Sequence, residues 1–166
     1  MKRVYRAVTT RPVSGGCGIA LDGRPMRTPG RAEHPPALIA RQEAAWQPLI
    51  DWAIGRYDAG LAVTSGMVPQ PQAPATLKAF AAAVAAQDDF RLTALHTATA
   101  ACGSLVIALA LLEGQLDAEA AFAASQLDET FQIEAWGEDA EATARRCALA
   151  EDIAAAARFV QLLDAM

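Results

Sequence analysis

Hydrophobic positions change their spacing once along this chain. Over the first thirty residues they come in short β-branched and aromatic runs broken by glycine. Val4 to Thr10 is one such run, and Gly15 and Gly16 interrupt the pattern beyond it. Cys17 to Leu21 then leads into Asp22-Gly23, a two-residue hairpin signal, with Met26 to Thr28 as the return strand. A hairpin with one extra strand is marginal in water, so some other element must cover this sheet.

From His34-Pro35-Pro36 onward the period is helical. Leu38, Ile39, Trp46, Leu49, Ile50 and Ala53 share one side, while Arg41, Gln42, Glu43 and Asp51 lie elsewhere. Pro48 within this pattern predicts a kinked or split helix. Gly60 to Thr64 reads as a short extended piece, and the three prolines between Met67 and Pro74 predict a stiff connector. Further helices are predicted over about 75–87, 89–113, 117–136 and 138–164, with Asp88 or Asp89 and Asp117 as caps and Gly114 and Gly137 as stops. The chain thus divides into a β-rich domain over residues 1–30 and a helical domain over 31–166.

The run from Leu92 to Leu112 carries no formally charged side chain, and its length alone suits a membrane span. It also holds His96, three threonines, Gly103 and Ser104, and lacks an aromatic belt or a basic flank. A buried central helix is the better reading. Composition agrees: forty of the 166 residues are alanine, the strongest helix former, and 53% are hydrophobic against 20% charged. A chain of this length holds one helical domain with a small appendage.

The net charge of −5 is unevenly spread. Residues 1–31 hold seven Lys or Arg against Asp22 alone, and residues 32–166 hold seven against eighteen acids. So acidic a body is a poor binder of phosphate backbones, and no nucleic-acid role is expected. Cys17, Cys102 and Cys147 are too few and too scattered for a disulfide framework or a metal site, and are expected to be buried thiols in a reducing compartment. No apolar segment follows Lys2, Arg3 and Arg6, so a secretory signal is not expected.

Candidate chemistry is thin. His96 in its apolar helix reads as a core or interface histidine rather than a base, and His34 as solvated loop. Gly15-Gly16-Cys17-Gly18 lacks the Lys-Ser pair and helix start of a phosphate cradle, leaving a structural turn. Gly103-Ser104-Leu105 lacks the context of a nucleophile elbow and suggests a close helix contact. The conspicuous segment is acidic. Glu113 to Glu141 contains nine carboxylates and no Lys or Arg, interleaved with Phe122, Phe131, Ile133 and Trp136. A solvated helix face is the plainest reading, and a protein-docking surface with aromatic anchors is the functional one. Metal binding or acid–base catalysis would need an enclosed geometry that this spacing does not specify.

Several segments, in order, resemble the Atp-twelve family of ATP synthase assembly chaperones. They are Lys2 to Val8, Leu21-Asp-Gly-Arg-Pro-Met-Arg-Thr-Pro29, Ala40 to Trp46 and Leu49-Ile-Asp-Trp52. Asp89 to His96, Gly103-Ser-Leu105, Leu109 to Leu116, Ser125 to Glu129 and Gln132-Ile-Glu-Ala-Trp-Gly-Glu-Asp139 continue the match. One departure is plain: Gly30 runs directly into Arg31 where the family continues for several dozen residues of helical sequence. A stretch left out there would show as a Cα separation well above the roughly 3.8 Å of a trans peptide.

The resemblance implies an α+β protein, mainly α, with a small N-terminal β-sheet in a truncated α+β domain followed by an orthogonal helical bundle. It implies a monomeric, non-enzymatic chaperone without cofactor or metal, which binds the ATP synthase alpha subunit and prevents its aggregation during assembly of the catalytic head. It also places the family's functional acid between Gln132 and Asp139, with Glu134 and Glu138 the candidates and Asp128 and Glu129 close by. With Trp136 and Asp139 these make up the expected partner-binding surface. High alanine and arginine over lysine, without a transit peptide, point to a bacterial cytoplasm rather than a mitochondrial matrix. A metal-dependent hydrolase using the acidic cluster and a structural helical subunit of a stable complex are the alternative readings.

Overall fold

The computed structural model describes residues 30–65 and 71–166. The expected N-terminal strands, the glycine turn and Cys17 lie outside the described residues, as does the first half of the proline connector. Seven helices make up most of the described residues: α1 (Pro36–Tyr57), α2 (Pro74–Ala85), α3 (Asp89–Cys102), α4 (Leu105–Leu112), α5 (Ala118–Ser125), α6 (Leu127–Trp136) and α7 (Ala140–Asp164). Two short strands, β1 (Gly30–Arg31) and β2 (Thr64–Ser65), pair in parallel, with Gly30 opposite Thr64 and Arg31 opposite Ser65. Gly30 and Arg31, where the sequence departs from the family pattern, are the two residues of β1.

Local chemistry sets the helix ends. Asp88 accepts from the backbone N–H of Phe90 and Arg91, both at 2.9 Å, and Asp117 and Asp139 cap α5 and α7 through Ala120 and Ala142. Pro36 and Pro74 open α1 and α2, where a missing N–H costs nothing. Two predicted helices are each broken in two. The stretch 89–113 stops at Gly103, whose φ of +64° ends α3, and restarts at Ser104, which caps α4 through Ile107. A Cβ on Gly103 would meet nothing within 4 Å, so this glycine provides a turn and not the close helix contact expected. The stretch 117–136 breaks at Gln126, which ends α5 and begins α6.

Pro48 does not split α1, which runs through it for 22 residues. The carbonyl it leaves without a donor belongs to Ala44, and both residues face solvent, where water replaces the lost bond.

The core is built around α4. All eight of its residues are buried, and it packs against α1, α3, α5 and α7. The long uncharged run is therefore interior because neighbours surround it, and among the described residues no helix is long and apolar enough to cross a membrane. Trp46, Leu49, Ile50 and Ala53 of α1, Phe80 of α2, Leu95 and Ala98 of α3 and Ile153, Ala156 and Val160 of α7 close the core. The buried Trp46 indole donates to the Ala124 carbonyl at 2.8 Å, fixing α1 against α5. Buried Gln72 bonds both backbone groups of Ala62, and Thr76 donates to Gly60, so the extended piece before β2 is held on α2. Cys102 is buried and its thiol is pushed up to about 12, chiefly by desolvation. Cys147 is exposed, against expectation, because it falls on the solvent side of α7.

Candidate functional site

The acidic segment maps to the end of α4, α5, α6 and the start of α7. Its lack of internal Lys or Arg does not leave it unpaired, because cations arrive from elsewhere. Arg41 of α1 donates through Nη1 to both carboxylate oxygens of Glu134, at 2.9 and 2.7 Å. Arg145 of α7 reaches Glu129 at 3.0 Å, and Arg146 reaches Glu138 at 3.1 Å. Glu113 is held by the Arg56 guanidinium at 2.6 Å and by the Tyr57 hydroxyl at 2.7 Å, away from the other carboxylates. Desolvation, and after it the hydrogen bond to Glu113, push the Tyr57 hydroxyl pKa well above the ordinary tyrosine value.

The expected partner-binding residues therefore differ in what they present. Asp128 is half-buried and accepts from Gln42 Nε2 at 2.7 Å, while the Gln42 carbonyl oxygen accepts from Ala32 N–H at 2.8 Å. It ties α6 to the segment that leads into α1. Asp139 is a helix cap. Glu129, Glu134 and Glu138 are ion-paired on the surface, and Trp136, at the last position of α6, is 81% exposed. Among the described residues no three His, Cys, Asp or Glu side chains converge on a metal-sized site. Each of the five carboxylates in the set is engaged by a different group.

Arg41, Arg145 and Arg146, which pair with acids of the candidate site, are partners that the sequence reading did not single out. They stand 93, 16 and 8 positions from their partners. Two of them also lie over aromatic rings: Arg41 over Phe131 at 5.3 Å and Arg146 over Phe122 at 5.4 Å. The adjacent Arg145-Arg146 pair just beyond the acidic run is the available signal.

Desolvation raises the Asp128 carboxyl pKa, and the Gln42 hydrogen bond lowers it by less. A carboxyl whose folded pKa is raised costs stability above that value, and the cost disappears as pH falls below the unfolded value. Asp128→Asn keeps an acceptor for Gln42 and removes the desolvated charge. Urea unfolding should show the variant slightly more stable at neutral pH, the gain being limited by solvent screening of this partly exposed group, with the difference vanishing below the ordinary aspartate pKa.

No family model matches the chain. Solved structures do. The chain superposes on Atp12 from Paracoccus denitrificans with a TM-score of 0.77 and 43% identity, over 80% of this chain and 57% of that one. The chain belongs to the Atp-twelve (Atp12) family. An aspartate-to-lysine variant of the Paracoccus Atp12 matches at 42% identity with a TM-score of 0.78 over the same shares of both chains. Atu1473 from Agrobacterium tumefaciens, described as a chaperone by prediction, matches at 39% identity and a TM-score of 0.69, over 79% of this chain and 49% of that one. The chain thus spans about half the length of the Atp12 structures it resembles.

Proposed function

We propose that this chain is an assembly chaperone which binds the ATP synthase alpha subunit, prevents its aggregation and hands it on during assembly of the catalytic head. The observation that carries this reading is the shared fold and 43% identity with a bacterial Atp12. A free alpha subunit exposes the surface its beta neighbours cover, and apolar surface of that size aggregates. A binder that occupies this surface and then yields to the larger native interface needs no nucleotide and no chemistry. Asp128, Glu129, Glu134, Trp136, Glu138 and Asp139 are the proposed docking region: an exposed indole among carboxylates offers an anchor and a charge pattern that selects orientation.

The family assignment further supports a division into a β-rich N-terminal domain over residues 1–30 and an orthogonal bundle over 31–166. It supports a monomer in a bacterial cytoplasm. The test is light scattering of purified alpha subunit, refolded with and without an equimolar amount of this protein. Wild type should suppress aggregation, and a Glu134→Lys, Glu138→Lys double variant should lose most of the effect. If wild type leaves scattering unchanged, also when joined to the full N-terminal region of an Atp12 relative, the chaperone reading is wrong.

A further inference from the structure

Helix α6 is held unlike its neighbours. α4 is buried throughout, and α3, α5 and α7 each contribute residues to the core, but α6 contributes none. Only Leu127, at its first position, packs against the core as a partly buried residue. Beyond that residue, α6 is tied down by Gln42 to Asp128, Arg145 to Glu129, Arg146 to Thr130 at 3.2 Å, and Arg41 to Glu134 and over Phe131, with Arg146 also pairing Glu138 just past its end. The ion pairs at Glu129 and Glu134 are substantially exposed on both sides, and such pairs are weak and screened by salt. The more buried latch is imperfect, since Arg146 Nη1 is enclosed without a hydrogen-bond partner. α6 is joined to α5 by Gln126 alone and to α7 by the three residues 137–139, with Gly137 at φ +83°.

Arg41 and Arg146 each do two things at once. Arg41 neutralises Glu134 and covers the Phe131 ring, and Arg146 neutralises Glu138 and covers the Phe122 ring. Letting go of Arg41 frees a carboxylate and an aromatic face of α6 together, whereas Arg146 holds α6 itself through Thr130, Phe122 belonging to α5 and Glu138 following the end of α6. We propose that α6 is a releasable strap, latched over the flank of the bundle by Arg41 at Glu134 and Arg146 at Thr130, which lifts about Gln126 and the 137–139 linker while the rest of the bundle stays folded. The lifted strap offers Glu134 beside the Phe131 ring to a polypeptide segment carrying Lys or Arg next to apolar residues, whose cation replaces Arg41. That consequence rests on the chaperone reading; the latch itself does not.

Hydrogen exchange of the full chain, without any client, tests the latch. Raising NaCl from about 0.05 M to about 1 M shortens the screening length from over 10 Å to about 3 Å. Amides of residues 127–136 should then exchange about tenfold faster, corresponding to roughly 1.4 kcal/mol of lost docking, while those of 105–112 stay unchanged. An Arg41→Gln, Arg146→Gln variant should exchange fast over 127–136 at both salt concentrations. Should that variant fail to fold, Glu134→Gln, Thr130→Val opens the same contacts from the α6 side and should behave alike. Protection of 127–136 that matches 105–112 and ignores both salt and the substitutions overturns the strap. Because no alpha subunit is present, that failure is distinct from a failure in the scattering test.

Discussion

Leu109→Ala should lower the unfolding free energy by about 3–4 kcal/mol, read as a shift of the urea midpoint with an unchanged slope. Leu109 is fully buried in the middle of α4, and α4 has no solvent face on which a void could collapse. Helices α1, α3, α5 and α7 all pack on it. The removed side chain therefore costs its transfer free energy and also leaves most of its volume empty. The same change at Leu116, half-buried beyond the end of α4, should cost less than half as much, since relaxation and water fill the space. Equal losses at the two sites would mean that α4 is not the centre of the core.

The prominence of α4 is legible in the sequence because an uncharged run in an otherwise charged chain must be interior to something. Its break is not. By sequence Gly103-Ser104 reads as a close packing contact inside one helix, and only the positive φ of Gly103 together with the Ser104 cap shows two helices meeting at a corner. Pro48 misleads in the opposite direction: the penalty of a proline depends on whether the orphaned carbonyl can reach water, and that depends on which side of α1 faces the core. The caps Asp88 and Asp117 and the stop at Gly137 are readable because they act over a single turn.

The candidate site is half legible for a related reason. A pattern of acids and aromatics shows in composition, but its neutralisation by Arg41, Arg145 and Arg146 is a tertiary fact. Charge along one segment therefore overstates what the surface offers. Of the six residues expected to bind a partner, Asp128 and Asp139 are occupied by structural hydrogen bonds, and Glu129, Glu134 and Glu138 must exchange an internal arginine before they can serve a client. Trp136 needs no such exchange.

Trp136→Ala should consequently weaken binding of the alpha subunit by about 2 kcal/mol, roughly thirtyfold in Kd, while changing the stability of the free protein by less than about 0.5 kcal/mol. The three tryptophans of the chain make the contrast. Trp46 is 3% exposed with its indole N–H bonded to Ala124, and Trp52 stacks edge-on against Tyr57 at 5.7 Å, so both serve the fold. Trp136 is 81% exposed, so its truncation removes little from the native core. An indole left in water is a large apolar surface whose burial by a partner is worth several kcal/mol at about 25 cal/mol per Å². It also sits at the end of α6 beside Glu134 and Glu138, where an apolar anchor and steering charges can act on one segment of the client. The measurement is fluorescence anisotropy of labelled wild type and variant titrated with alpha subunit, alongside urea unfolding of each. A thirtyfold loss of affinity at unchanged stability places the client on α6; equal affinity would move the docking surface elsewhere on the bundle and leave Trp136 without a role.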